Sequence, residues 1–150
     1  MSASRIDLQR LHDAVLDKLR AEGQLYTSGR RQLVELLAEL NRPVTTYELL
    51  ESRTKLTQSS VYRNLAVLEE VGIVQKVASS DDRARFELAE DLIGHHHHLI
   101  CVACGRVDDF VVPARTEKTL DAALERVVSS TGFVAAGHRL DIIGTCAACA

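Results

Sequence analysis

The stretch "TQSSVYRNLAVLEEVGIV", residues 57–74, decides the fold. Val61, Leu65 and Leu68 recur at the three-and-four spacing of one helix face, while Tyr62, Arg63 and Glu69 point elsewhere. Gly72 suits the left-handed residue after a helix end. This helix buries one face and offers another to a partner.

Toward the N-terminus, "VTTYELLES" begins a further helix. Thr45 and Glu48 have the form of a capping box, in which each side chain satisfies an orphan backbone N–H of the other. Leu33, Leu36, Leu37 and Leu40 predict a helix after Tyr26 that stops before Pro43, because a residue preceding proline resists helical torsions. Leu8, Leu11, Val15 and Leu19 predict a first helix, ended near Gly23. Downstream, "IVQKV" and "ARFEL" are β-rich runs separated by "ASSDDR", whose Ser and Asp residues favour a turn. Three helices followed by a β-hairpin is the order of a winged helix-turn-helix, here with an extra N-terminal helix. Beyond it "HHHLIC", "VDDFVV" and "RLDIIG" are strand-like, and "TEKTLDAALERVVSS" is one helix, ended by Gly132. The expected fold is α+β: a winged-helix domain over residues 1–91 and a small α/β domain over residues 92–150.

At 150 residues, 46% hydrophobic and 26% charged, the chain has the composition of a globular protein. Its apolar runs are short and "MSASRIDLQRLHD" lacks a signal-peptide profile, so a soluble cytoplasmic protein with no membrane partner is expected. A net charge of -3 gives no electrostatic sign of nucleic acid. Between Tyr26 and Arg63, six Lys or Arg residues face four acidic ones, a local excess of two, so a DNA-binding expectation rests on motif.

The four cysteines form two Cys-x-x-Cys pairs, Cys101 with Cys104 and Cys146 with Cys149. Two such turns deliver four thiolates that close a tetrahedral zinc site with no open position, which is structural rather than catalytic; a redox dithiol and a disulfide are the alternatives. Immediately before the first pair stand His95 to His98, in "GHHHHLICVACG". On a strand, successive side chains alternate faces, so His95 and His97 would face one way and His96 and His98 the other, feeding two metal sites. Glu87, Asp108, Asp109, Glu117, Asp121 and His138 are the candidate partners. The His-x-Glu and Pro-Cys-x-x-Cys combination of zinc deaminases is missing, as is His-Glu-x-x-His, so no enzyme is expected.

"SSVYRNL", "FEL", "HHHHLICVACG", "GHRLDIIG" and the closing "CAAC", in that order, resemble the Fur (ferric uptake regulator) superfamily of metal-dependent repressors. The resemblance runs from about Tyr26 to Cys149. It implies a homodimer that binds an AT-rich inverted repeat of double-stranded DNA when loaded with a divalent metal, controlling metal homeostasis. Ser59, Ser60, Tyr62 and Arg63 match the recognition helix, and Thr27 with Arg30 partly meets a further DNA-contacting stretch, with Tyr26 where a basic residue commonly stands. Cys101, Cys104, Cys146 and Cys149 match the structural zinc ligands. Glu87, His96, His98 and Asp109 match the regulatory set, for which Fe2+ or Zn2+, and also Mn2+, have suitable chemistry. Pro43 stands where iron-type members place a histidine; Gln75 and Ala89 stand where zinc-type members use Asp and Cys. His95, His97 and His138 match an accessory site whose fourth ligand is an acid on the helix, Asp121 counted from Gly132 or Glu117 counted from Phe110. His12 is a candidate for a missing ligand. The peroxide-sensing branch typically carries Asp where Glu87 stands. The competing class is a zinc-stapled interaction or redox-thiol protein without DNA binding.

Overall fold

The computed structural model describes residues 6–52 and 54–150. Residues 1–5, which open the expected 1–91 domain, and Arg53, one of the six basic residues counted above, lie outside the described residues. Helix α1 (Leu8–Ala21) starts at Asp7, whose side chain accepts from the N–H groups of Gln9 and Arg10, and it buries Leu11, Val15 and Leu19. Helix α2 (Ser28–Leu40) is capped by Thr27, buries Leu33, Val34 and Leu37, and ends at a left-handed Asn41 before Pro43. Strand β1 (Val44–Thr45) leads into α3 (Thr46–Glu51), where the Thr45 and Glu48 capping box forms in both directions. Helix α4 (Gln58–Glu70), capped by Thr57, buries Val61, Leu65 and Leu68.

Strands β2 (Val74–Val77) and β3 (Arg85–Leu88) make the hairpin, and β1 pairs with the other edge of β3, giving the antiparallel order β1-β3-β2. The apolar faces of α1, α2 and α4 meet this sheet in one core with Leu49, Ile73, Phe86 and Leu88. Burying each such side chain contributes roughly 1.5–3 kcal/mol.

A four-residue helix α5 (Glu90–Ile93), too short to leave a periodic signal, leads to the second sheet. There β4 (His97–Cys101) is central: β5 (Val107–Phe110) pairs antiparallel to it and β6 (Asp141–Gly144) parallel. Helix α6 (Ala114–Ser129) follows Pro113 and connects β5 to β6. These strands are shorter than expected: His96 precedes β4, Val111 and Val112 lie beyond β5, and Arg139 and Leu140 precede β6. No residue of α6 or β6 is buried, and Val77, Ile100 and Val107 form the small apolar cluster at this end. No helix among the described residues is long and apolar enough to cross a membrane.

The β2–β3 turn is fastened to the first cysteine pair. Ser79 Oγ donates to Gly105 O at 2.6 Å and Ser80 Oγ to Cys101 O at 2.8 Å. Arg85, 4% exposed, grips both oxygens of Asp81 through Nη1 and Nη2. Gly105 has φ +74, and a Cβ there would lie 2.6 Å from Asp81 Cγ and 2.8 Å from Arg85 Nη2. Since the fork holds Asp81 in place, Gly105→Ala is expected to destabilise by about 1–3 kcal/mol through strain and overpacking, read as a lower thermal midpoint.

Candidate metal centres

Three groups of ligand atoms form, each with its members within 4.8 Å of one another. The first is Cys101, Cys104, Cys146 and Cys149. Strand β4 carries Cys101 to its end opposite Gly144, and the chain after β6 turns Cys146 and Cys149 to meet it. A zinc–sulfur bond of about 2.3 Å in a tetrahedron requires sulfurs about 3.8 Å apart; Cys104 Sγ and Cys146 Sγ are 3.8 Å apart. The Cys101 thiol is brought down to about 6 by backbone N–H groups of Cys146 and Cys104 directed at its sulfur. Cys149 is pushed up to about 12 by hydrogen bonds with Cys146 and Cys104. Four crowded thiols cannot all ionise without a cation among them, so the donor set fits zinc.

The second group is Glu87, His96, His98 and Asp109. Glu87 comes from β3 of the winged helix; the other three come from β4, the residues before it, and β5. Antiparallel pairing sets His98 opposite Asp109, and Glu87 is 2% exposed. His96 Nε2 lies 3.2 Å from Glu87 Oε2 and His98 Nε2 3.1 Å from Glu87 Oε1. Asp109 lies 3.8 Å from both imidazoles, and its buried Oδ1 has no hydrogen-bond partner. That oxygen is near enough to share an ion with its neighbours but makes no hydrogen bond with them, so the group fits a divalent cation. Gln75, absent from the predicted set, donates from Nε2 to Glu87 Oε1 at 2.7 Å across the β2–β3 pair.

Burial pushes the Glu87 carboxyl up, but hydrogen bonds from His96, His98 and Gln75 outweigh it and hold it at about 2. Burial lowers His96, yet Glu87 and the Gly94 carbonyl raise it to about 9. Burial, helped by the Glu87 charge, pushes Asp109 up to about 6. The stability Glu87 contributes is present above its ordinary 4.5 and lost as pH falls toward 2. The contribution of His96 is complete below 6.5 and lost as pH rises through about 9. Asp109 has a raised pKa and so also costs stability as pH climbs from 3.8 to about 6. Protein holding zinc only at the cysteines is therefore expected to unfold at a lower temperature at pH 9 than at pH 6.5, and His96→Gln should flatten that trend in calorimetry.

The third group is His95, His97, Glu117 and His138. His95 and His97 fall in one group and His96 and His98 in the other, although only His97 and His98 are on β4. Of the two helix acids expected, the one within this group is Glu117, and Asp121 lies outside it. Glu117 reaches His95 Nε2 at 3.2 Å, His97 Nε2 at 2.9 Å and His138 Nε2 at 2.9 Å. Asp121 lies one turn further along α6 and meets the other ring nitrogen of His138, Nδ1, at 3.1 Å. His138 Nε2 is buried and makes no hydrogen bond despite its closeness to Glu117, again a geometry that suits a shared ion. His12 belongs to none of the groups. Its Nδ1 meets the Tyr26 hydroxyl at 2.7 Å and its Nε2 lies 3.1 Å from Glu35, so it fastens α1 to α2.

Of the residues matched to DNA contacts, Ser59, Tyr62 and Arg63 are exposed along α4 and Ser60 is half-buried. Tyr62 Oη lies 3.1 Å from Thr46 Oγ1, which fixes the ring direction. Thr27 and Arg30 are engaged locally: Thr27 caps α2, and Arg30 Nη1 donates to Leu25 O. Tyr26 is tied to His12 and carries Arg31 4.8 Å over its ring, and burial pushes its hydroxyl up to about 12.

The model of the ferric uptake regulator family matches residues 21–143. The chain is 31% identical over 138 residues to the peroxide operon regulator of Bacillus subtilis, covering 89% of this chain and 90% of that protein. It is 26% identical over 153 residues to a peroxide-responsive repressor of Staphylococcus saprophyticus, covering 99% and 98%. Its fold matches the Helicobacter pylori ferric uptake regulator with a TM-score of 0.74 at 22% identity, over 99% of this chain and 97% of that one. The protein is thus a metal-responsive winged-helix transcriptional regulator. More particularly, it belongs to the ferric uptake regulator family.

Proposed function

We propose that a divalent metal at Glu87, His96, His98 and Asp109 fastens the winged helix to the second sheet in the arrangement that binds DNA, and that residues 1–91 and 92–150 are the two units so joined. The observation that carries this reading is that Glu87 is the one ligand from the winged-helix side, with the other three from the far side of the α5 linker. A bound cation supplies the positive charge that lets Glu87 and Asp109 stay ionised together. Glu87 is presented by β3 and steadied by Gln75, while β4 and β5 hold the partners in register. Such a ligand shifts the population only by its preference for the closed form; a typical coupling of about 1–3 kcal/mol corresponds to about 5- to 150-fold in affinity.

On the DNA side, Ser59, Ser60, Tyr62 and Arg63 read the major groove of an AT-rich inverted repeat from α4, with Tyr62 toward a thymine methyl and Arg63 toward a guanine edge or phosphate. Thr27 and Arg30 approach the backbone from the start of α2. Two copies form the dimer through α6 and β6, whose exposed Leu124, Val127, Ile142 and Ile143 need a cover in water. The four cysteines hold structural zinc and the group around Glu117 an accessory metal, in the reducing cytoplasm where free thiols persist. The Helicobacter pylori regulator has three functional metal binding sites, in line with the three groups found in this chain.

A gel shift on AT-rich palindromic DNA, with and without chelator and across iron(II), manganese(II) and zinc(II), tests the reading. Retardation that needs metal is expected; no retardation at low salt under any metal condition overturns it in favour of a zinc-stapled module without DNA affinity.

The two sequence relatives, a peroxide operon regulator and a peroxide-responsive repressor, favour a second reading in which peroxide is the signal. Glu87, where the peroxide-sensing branch typically carries Asp, speaks against it. A gel shift of the metal-loaded protein before and after peroxide separates the two: DNA binding that peroxide abolishes supports the peroxide reading, and unchanged binding removes it.

A further inference from the structure

We infer that Glu90, Asp121 and Asp141 are positioning residues that hold the ligand histidines of the two mixed sites with Nε2 turned toward the metal. The inference rests on the metal sites proposed above but concerns groups outside them. His95 Nδ1 lies 3.2 Å from Glu90 Oε2 while its Nε2 faces Glu117. His138 Nδ1 lies 3.1 Å from Asp121 Oδ1 while its Nε2 faces Glu117. His98 Nδ1 lies 3.4 Å from Asp141 Oδ1 while its Nε2 faces Glu87.

His96 shows the same division with a neutral partner. Its Nδ1 is 2.9 Å from the Gly94 carbonyl, which only accepts, so Nδ1 keeps its proton and a cation takes the place of the proton that Nε2 shares with Glu87. A neutral imidazole carries one donor and one acceptor; an acceptor fixed at Nδ1 therefore leaves Nε2 free to bind a cation. Among the five histidines, only His97 has a buried Nδ1 without a partner among the described residues.

Topology explains each placement. Parallel pairing of β4 with β6 sets His98 directly opposite Asp141. Asp121 follows Glu117 by four residues on α6, so one helix face meets both ring nitrogens of His138. Glu90 opens α5, the linker between the winged helix and the second sheet. The three outer carboxylates thus tie the metal groups to the linker, to α6 and to β6.

The test compares alanine and amide variants at Glu90, Asp121 and Asp141 in protein holding zinc at the cysteines. Manganese(II) or cobalt(II) is titrated in competition with a fluorescent chelator, and Glu87→Gln identifies which step belongs to which site. Asp141→Ala should weaken the Glu87 site alone, and Asp121→Ala and Glu90→Ala the Glu117 site alone, by about 10- to 100-fold. Asp141→Asn and Asp121→Asn, which keep an Oδ1 beside Nδ1 that can accept its proton, should recover much of the loss. Long-range 1H–15N spectra of the metal-free protein should show the Nδ1–H form of His98 lost in Asp141→Ala and that of His138 lost in Asp121→Ala. Unchanged tautomers with unchanged affinity overturn the inference, as does equal weakening of both sites in every variant. Wild-type protein that takes up no metal beyond the cysteines sinks the proposed function instead, while the metal-free tautomer spectra still decide the role of the carboxylates.

Discussion

Cys101→Ser is expected to lose zinc and, with it, the cooperative folding of the C-terminal unit. The reason lies in how little else holds that unit together. No residue of α6 or β6 is buried, and the apolar cluster at this end is Val77, Ile100 and Val107. Strand β6 is registered on β4 through four residue pairs, ending at Cys101 opposite Gly144. Zinc held by Cys101 and Cys104 on one side and Cys146 and Cys149 on the other clips the strand ends together. Apparent zinc binding in small thiolate sites supplies about 10–16 kcal/mol near neutral pH, comparable to the whole stability of a domain. The same loss frees the β2–β3 turn, because Ser80 is anchored on the carbonyl of Cys101 itself. Zinc analysis should fall from one ion per chain toward none, and thermal unfolding should lose the C-terminal transition while the winged-helix signal persists. A soluble, folded, zinc-free variant would overturn the structural assignment.

The winged helix is legible in the sequence because its information is local. The period of Val61, Leu65 and Leu68, the Thr45 and Glu48 capping box and the break before Pro43 each act within a few residues. The cysteine group follows from spacing for the same reason. Strand alternation separates the histidines into their two sets and the resemblance supplies Glu87, Asp109 and His138, but the helix acid of the second set is not legible. Glu117 and Asp121 lie one turn apart on α6, so no periodicity separates them; only the packing of α6 beside β4 puts Glu117 at Nε2 of three histidines and Asp121 at Nδ1 of one. Gln75 and Asp141 act across strand pairs, and a register is set by the whole sheet. His12 has the residue type of a ligand, and the packing of α1 on α2 gives it Tyr26 and Glu35 as neighbours.

In the proposed switch, Pro43 stands where the resemblance places a histidine in iron-type members, which bears on its strength. With no imidazole at that position, Glu87, supported by Gln75, carries the connection from the winged-helix side in the group that forms. A single carboxylate link is weaker and less selective among cations than a link that adds an imidazole, since two carboxylates with two imidazoles suit iron(II), manganese(II) and zinc(II) alike. Operator binding across a metal series should accordingly show activation by more than one divalent ion.

Replacing both His96 and His98 with alanine is expected to abolish metal-stimulated operator binding while leaving the fold and the zinc at the cysteines intact. Both imidazoles aim Nε2 at Glu87, and both are nearly fully buried, so no other side chain in the group can take their place. Without them Glu87 keeps Gln75 as a donor and faces Asp109 across a cavity. Two buried carboxylates without a cation cannot both stay ionised, so one takes up a proton, at a modest cost in stability. A His96→Gln and His98→Gln pair fills the space, keeps a donor toward Glu87 and removes imidazole ligation, which separates loss of metal from loss of packing. In both double variants metal should no longer raise operator affinity, a loss of about 5- to 150-fold in stimulation, while circular dichroism and zinc content match wild type. Metal-dependent retardation that survives in either variant would move the sensing site away from Glu87, and the group around Glu117, with its own three imidazoles, is where the same substitutions would then be made.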